Sequence, residues 1–274
     1  MRAAVLAVAA AALLWSSGGL FIKLAPMPAM AVACGRSLIA GVFYLVLLRP
    51  DLRAARWTTA LAYAGCIVSF VTATKLTTAA NAIFLQYTAP AYVLLLSPWL
   101  LREKLRAIDL WCVLLSLAGM SLFFVDKVEA GQTLGNVLGI VSGVFFAFNI
   151  VLLRRDRGDA LASMTLGNLI AAAATLPFAL GSFSLTPMGA GVLLYLGLIQ
   201  LGLAYWLFAR GVRLVPAAEA SVISMLEPIF NPVWVLLGTG ERPGPWAIAG
   251  GVVVIAAVAL RTAVPQRELH RDHQ

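Results

Sequence analysis

Charged residues are scarce in this sequence, at 12% of 274 residues against about 25% in an ordinary soluble domain. Apolar residues make up 61%, and the mean hydropathy is +0.92. So few polar groups cannot cover a soluble globule, and the apolar surplus is expected to face lipid. Histidine is missing from every apolar run, since His270 and His273 both stand in the polar C-terminal segment. That leaves no intramembrane imidazole to act as metal ligand or general base. Cys34, Cys66 and Cys112 are odd in number and show no CxxC spacing, which indicates neither a disulfide framework nor a zinc site. No Walker A sequence occurs, so ATP hydrolysis by that route is excluded. With no paired acids and no nucleophile beside a base, an enzyme is not expected, nor is a cofactor.

The net charge of +8 does not point to nucleic acid. The basic residues sit in small clusters between apolar runs, where they serve as topology signals and meet anionic headgroups. A bilayer core takes about 20 apolar residues per helix, and the runs fit that length. They fall near 3–24, 29–48, 58–74, 77–101 and 107–125, then near 135–153, 161–180, 188–210, 216–239 and 245–261. The first continues past Trp15-Ser16-Ser17 to Lys23, which is span length rather than leader length. The expected fold is an all-α integral membrane protein of ten transmembrane helices.

Lys and Arg alternate in abundance between the two ends of these spans. One side holds Arg2, Arg49, Arg53, Arg56, Arg102, Lys104, Arg106, Arg154, Arg155, Arg157, Arg210, Arg213, Arg261, Arg267 and Arg271, fifteen in all. The other holds Lys23, Lys75, Lys127 and Arg242. The richer side is expected to be cytoplasmic, which places both termini there, in a multi-pass protein of the cell (inner) membrane.

The sequence also repeats itself. A shift of 138 residues lays Lys75-Leu76 on Arg213-Leu214, Pro90 on Pro228 and Glu103 on Glu241, with no gap between. A shift of 131 to 132 brings Lys23 onto Arg154, Gly35 onto Gly167 and Arg36 onto Asn168. The repeats are expected at 1–125 and 135–261, followed by a polar cytoplasmic tail at 262–274. Five helices is an odd number, so the second repeat enters the membrane inverted. Inverted repeats let one chain open alternately to either face around a midplane site. A carrier of small molecules is therefore expected rather than a channel or scaffold.

Several short motifs carry a family resemblance: Trp15-Ser16-Ser17-Gly18, Arg36-Ser37-Leu38, Thr77 to Pro90, Ala204-Tyr205-Trp206, and Pro216 to Glu241 around Leu226-Glu227-Pro228. In order and spacing the chain resembles the EamA type of the drug/metabolite transporter superfamily over nearly its whole length. The resemblance implies a ten-helix fold and export of small metabolites, an amino acid or drug-like compound among them. It names no substrate.

Polar residues within the spans are the candidates for a path. Glu227 near the middle of its helix costs about 2.5–3.5 kcal/mol to insert, so it should face a cavity or a partner. It reads either as a contact for a substrate amine or a protonatable coupling group, or as a structural carboxyl bonded to Arg36 or to backbone donors. Arg36 either snorkels to the outer interface or serves as that charge partner. Pro90 and Pro228 should kink their helices at matching depths and free the carbonyls of Gln86 and Ser224. Gln86, Tyr87, Asn149, Gln200 and Tyr205 supply hydrogen-bonding groups, and Trp15 and Trp206 aromatic walls. Each also reads as an interhelical bond or an interfacial ring. Glu219 is expected to pair with Arg213 or Arg210. Gly135, Gly139 and Gly143 form a small-residue stripe for packing, within the chain or between protomers. A small-molecule substrate and the bilayer are the expected partners; the oligomeric state is left open.

Overall fold

The computed structural model describes residues 2–122, 133–155, 159–184, 186–239 and 245–264. Lys127, Arg157, Glu241, Arg242, both histidines and most of the expected tail lie outside these residues. Among them there is no strand. The α-helices in chain order are α1 (Arg2–Trp15), α2 (Gly18–Leu24), α3 (Ala29–Phe43), α4 (Trp57–Leu76), α5 (Ala79–Gln86), α6 (Ala89–Leu100) and α7 (Ala107–Leu122). In the second half they are α8 (Thr133–Arg155), α9 (Ala160–Ala179), α10 (Pro187–Leu194), α11 (Ala204–Val212), α12 (Ala217–Ser224), α13 (Leu226–Thr239) and α14 (Pro245–Ala263).

Among the described residues, seven helical stretches are long and apolar enough to cross a bilayer: Arg2–Leu24, Ala29–Leu48, Trp57–Leu76, Asn81–Leu100, Thr133–Arg155, Ala160–Ala179 and Pro187–Val212. Ala107–Leu122 and Ile248–Ala263 are apolar but shorter. The stretch from α12 to α13 is divided at Met225.

The interruptions have chemical causes. The α5–α6 break falls at Tyr87-Thr88 and the α12–α13 break at Met225, two to three residues before Pro90 and Pro228. A proline has no N–H to give and its ring clashes with the carbonyl four residues back, so the turn that would join the two pieces cannot close. Two wider turns, Tyr44–Leu48 and Tyr195–Leu203, are π-helical. The Tyr44 hydroxyl lies 2.7 Å from the Gly202 carbonyl and 3.0 Å from that of Leu201, and so ties the first wide turn to the second.

The two halves of the chain interleave. α4 packs on α8 and α9, α3 on α9, α1 on α11, α5 on α8 and α7 on α14. The core is therefore the seam between the halves. The glycine stripe of α8 packs within the chain, against α5. A Cβ on Gly143 would stand 2.7 Å from the carbonyl oxygen of Gln86, so only a glycine lets α8 approach the broken end of α5.

Candidate functional site

At this seam the breaks bring polar groups into an otherwise apolar interior. A small cavity is bordered by Trp15, Arg36, Gln86, Gln200 and Glu227, with Cys66, Ile67, Phe70, Phe146 and Tyr205 as its remaining walls. These come from both halves of the chain. α1 gives Trp15, α3 gives Arg36, and α4 presents Cys66, Ile67 and Phe70 along one stripe. Gln86 ends α5, Phe146 is on α8, Gln200 lies in the π-helical turn, Tyr205 opens α11, and Glu227 opens α13.

The charged groups set the character of the site. Arg36 is only 1% exposed, and its Nε and Nη1 have no hydrogen-bond partner. It does not snorkel to an interface. Glu227, 4% exposed, accepts a 2.6 Å hydrogen bond from the Tyr87 hydroxyl at Oε2. Arg36 and Glu227 border the same cavity without forming one of the ion pairs found among the described residues. Buried donors left without a partner are costly, so two nitrogens of this guanidinium are open to an acceptor in the cavity. Trp15 Nε1 is a second donor and Gln200 Oε1 an acceptor; both are buried and unpartnered. Gln86 Nε2 donates to Cys66 Sγ at 3.5 Å.

The remaining walls are rings. Trp15 meets Phe146 edge-on at 5.8 Å, and lies 4.6 Å from Tyr205 and 5.0 Å from Phe208 between centroids. Tyr63 abuts Tyr205 at 4.7 Å.

The structure therefore brings together Trp15, Arg36, Gln86, Gln200, Tyr205 and Glu227, with Tyr87 one hydrogen bond behind. Asn149 is fully buried on α8, its amide atoms without a hydrogen-bond partner, but it does not border the cavity. Trp206 lies beneath the Arg210 guanidinium, 4.0 Å from the ring centroid, also away from the cavity. Glu219 meets Arg261 at 3.1 Å, a partner that the sequence reading did not foresee. Cys66, Ile67, Phe70 and Phe146 were not singled out either. Signals existed for two of them, because the 131-residue shift sets Phe146 on Trp15 and the 138-residue shift sets Ile67 on Tyr205.

The model of the EamA-like transporter family matches residues 2–125 and again residues 133–262. The chain belongs to the EamA-like transporter family. The two matches divide the chain where its helical halves divide. YwfM of Bacillus subtilis, an uncharacterized transporter, is 27% identical over 94% of this chain and 93% of its own. The pseudopaline exporter CntI of Pseudomonas aeruginosa is 26% identical over 66% of this chain and 65% of its own. A crystal structure at 20% identity aligns with a TM-score of 0.80, covering 96% of this EamA-like chain and 97% of that one; it speaks for the fold alone. The protein is thus a membrane transporter of the drug/metabolite superfamily.

Proposed function

We propose that this chain is a ten-helix secondary transporter, built as two inverted five-helix repeats, that carries a small zwitterionic metabolite outward through the central cavity by alternating access. The observation that carries the reading is the pair of unlike charges facing one cavity, with Arg36 Nε and Nη1 free of hydrogen bonds and Glu227 held by Tyr87. A substrate carboxylate fits the Arg36 guanidinium, whose planar donors suit two carboxylate oxygens, with the Trp15 indole N–H beside it. A substrate ammonium fits Glu227 and the Gln200 carbonyl oxygen.

Several offsets support the inverted repeat. Trp15 and Phe146 are cavity walls 131 residues apart, and Ile67 and Tyr205 are cavity walls 138 apart. The breaks at Tyr87 and Met225 differ by the same 138. Lys23 donates to the Thr77 carbonyl at 2.7 Å, and its repeat counterpart Arg154 donates to that of Val215 at 2.6 Å. Export to the outside of the inner membrane, with both termini cytoplasmic, draws on the charge bias and on the exporter among the relatives.

Thermal-shift measurements on purified protein test the reading. Each amino acid is compared with its decarboxylated amine and its deaminated acid. At least one zwitterion is expected to raise the melting temperature, with both truncated analogues weaker. Stabilisation by amines and zwitterions alike would remove Arg36 from recognition.

A further inference from the structure

The two ends of the molecule are packed unequally. Every residue of α12 from Ala217 to Ser224 is buried, and the helix lies against α6, α7 and α8 as well as α1 and α14. Its counterpart at the 138-residue offset is α5. That helix rests mainly on α8 and α4, meets α13 only narrowly, and leaves Ala79, Phe84 and Leu85 partly exposed.

The polar contacts between the halves differ in kind, neutral hydrogen bonds near Lys23 and ion pairs near Arg154. At the end near Lys23, Lys23 Nζ donates to the Thr77 carbonyl at 2.7 Å and Lys75 Nζ to that of Ala25 at 2.8 Å. All four residues belong to the first half of the chain. At the other end Arg154 makes the equivalent bond to Val215, but there the first half intrudes. The Glu103 carboxylate pairs with Arg154 and also accepts the Ala217 N–H at 3.2 Å, at the head of α12. Deeper in, Arg261 of α14 bonds Asp109 of α7 at 2.6 Å and touches Glu219 of α12 at 3.1 Å. The second contact is ionic rather than an aligned hydrogen bond. Glu103 and Asp109 are thus both fastened across the seam.

We propose that Glu103 is a latch that holds the Arg154 end of the path shut, and that this structure is the conformer closed at that end. The proposal rests on reading the cavity as a site opened to the two faces in turn. For the Arg154 end to open, α12 must part from α6 and α7, and Glu103 must release both Arg154 and the Ala217 N–H. The three groups around Arg261 are buried, so parting them requires hydration of charges that satisfy one another only while together; they make closure two-state rather than gradual. Glu103 and Arg154 are about one-fifth exposed, 23% and 21%, so water can reach them and this tie is the one that releases first. At the Lys23 end the halves are tied by hydrogen bonds, Thr77 to Asn136 at 3.0 Å and Ser17 to Tyr195 at 2.8 Å, and by no ion pair among the described residues. The counterpart of Glu103, Glu241, lies outside them.

Cys66 provides the test, because of the three cysteines it alone borders the cavity. A chain carrying Cys34→Ala and Cys112→Ala is expressed, and right-side-out and inside-out membrane vesicles are treated with a membrane-impermeant methanethiosulfonate. Cys66 should react from the Lys23 face and slowly from the Arg154 face. Glu103→Gln loses a charge-assisted contact and is expected to raise the rate from the Arg154 face roughly tenfold. An unchanged rate there, in a variant that purifies as one monodisperse species, overturns the latch. A second measurement needs no change at Glu103: raising salt from about 0.1 M to about 1 M on the Arg154 face screens the partly exposed pair and should speed labelling from that face. No acceleration counts against the latch. A Cys66 that reacts from the Lys23 face but ignores both treatments refutes the latch alone. A Cys66 inert from both faces refutes the cavity reading and the latch with it.

Discussion

The Tyr87 hydroxyl donates a 2.6 Å hydrogen bond to Glu227 and so ties the break in one half of the chain to the break in the other. Tyr87 is the residue at which α5 ends, and Glu227 stands in the first turn of α13. A shift in either broken helix must move the carboxylate that faces the cavity. The bond makes Tyr87 a positioning residue for Glu227.

Tyr87→Phe should therefore leave the fold intact and loosen the site. Loss of one interhelical bond in a membrane protein costs about 0.6 kcal/mol on average and up to about 1.7. Substrate affinity is expected to fall several-fold, measured by titration of the ligand that stabilises the wild type. Unaltered affinity would mean that Glu227 needs no orienting partner.

Arg36 is expected to discriminate by geometry as well as by charge. Arg36→Lys keeps the charge but not the planar fork, so it should bind a carboxylate less well than wild type yet better than Arg36→Gln. Decarboxylated analogues should be indifferent to both changes. Equal loss for zwitterion and amine would assign Arg36 to folding.

Glu227 gives the site a pH dependence whose sign follows from charge alone. A protonated Glu227 is neutral and cannot attract an ammonium, so protons and substrate compete, and affinity should fall as pH falls. Glu227→Gln should weaken zwitterion binding at every pH and flatten that dependence, as read from binding curves across a pH series. A pH dependence that survives the substitution would place the titrating group elsewhere.

Gly143 tests the packing. Its missing Cβ would stand 2.7 Å from a backbone oxygen, whereas a Cβ on Gly191 would meet nothing within 4 Å. Both are helical, so alanine gains similar propensity at each. Gly143→Ala should destabilise by about 1–3 kcal/mol, as overpacking does, while Gly191→Ala should not. Melting curves of the two variants decide it.

The expected orientation is open to a simple check. In a chain free of native cysteines, Asp51→Cys should label only from the cytoplasmic side and Met188→Cys only from outside. The reverse pattern would invert the orientation drawn from the lysine and arginine bias.

Much of this architecture was legible because it depends on composition and on proline. The run expected at 107–125 is α7 at Ala107–Leu122, and the matched prolines marked both breaks. The interruption at Ser16-Ser17 and the wide turn at Tyr195–Leu203 carried no such mark. Serine and glycine are common in membrane helices, and a π turn leaves the apolar pattern unbroken. Cys66 and Phe70 were invisible for a related reason. In an apolar helix the cavity face and the lipid face are built from the same residue types. Arg36 and Glu227 stood out because a charge in that setting needs an explanation, and both border the cavity. Asp109 and Arg261 are 152 residues apart in sequence, so only the folded chain reveals their pairing.

The central claim is that a zwitterion is carried through the cavity between Arg36 and Glu227, and counterflow in proteoliposomes measures it most directly. Vesicles are loaded with an unlabelled amino acid identified by thermal shift, and uptake of the labelled form is followed. The account expects saturable, trans-stimulated uptake that is lost in Arg36→Gln and is not supported by the decarboxylated or deaminated analogue. Linear, unsaturable flux, or equal counterflow of all three compounds, would contradict it.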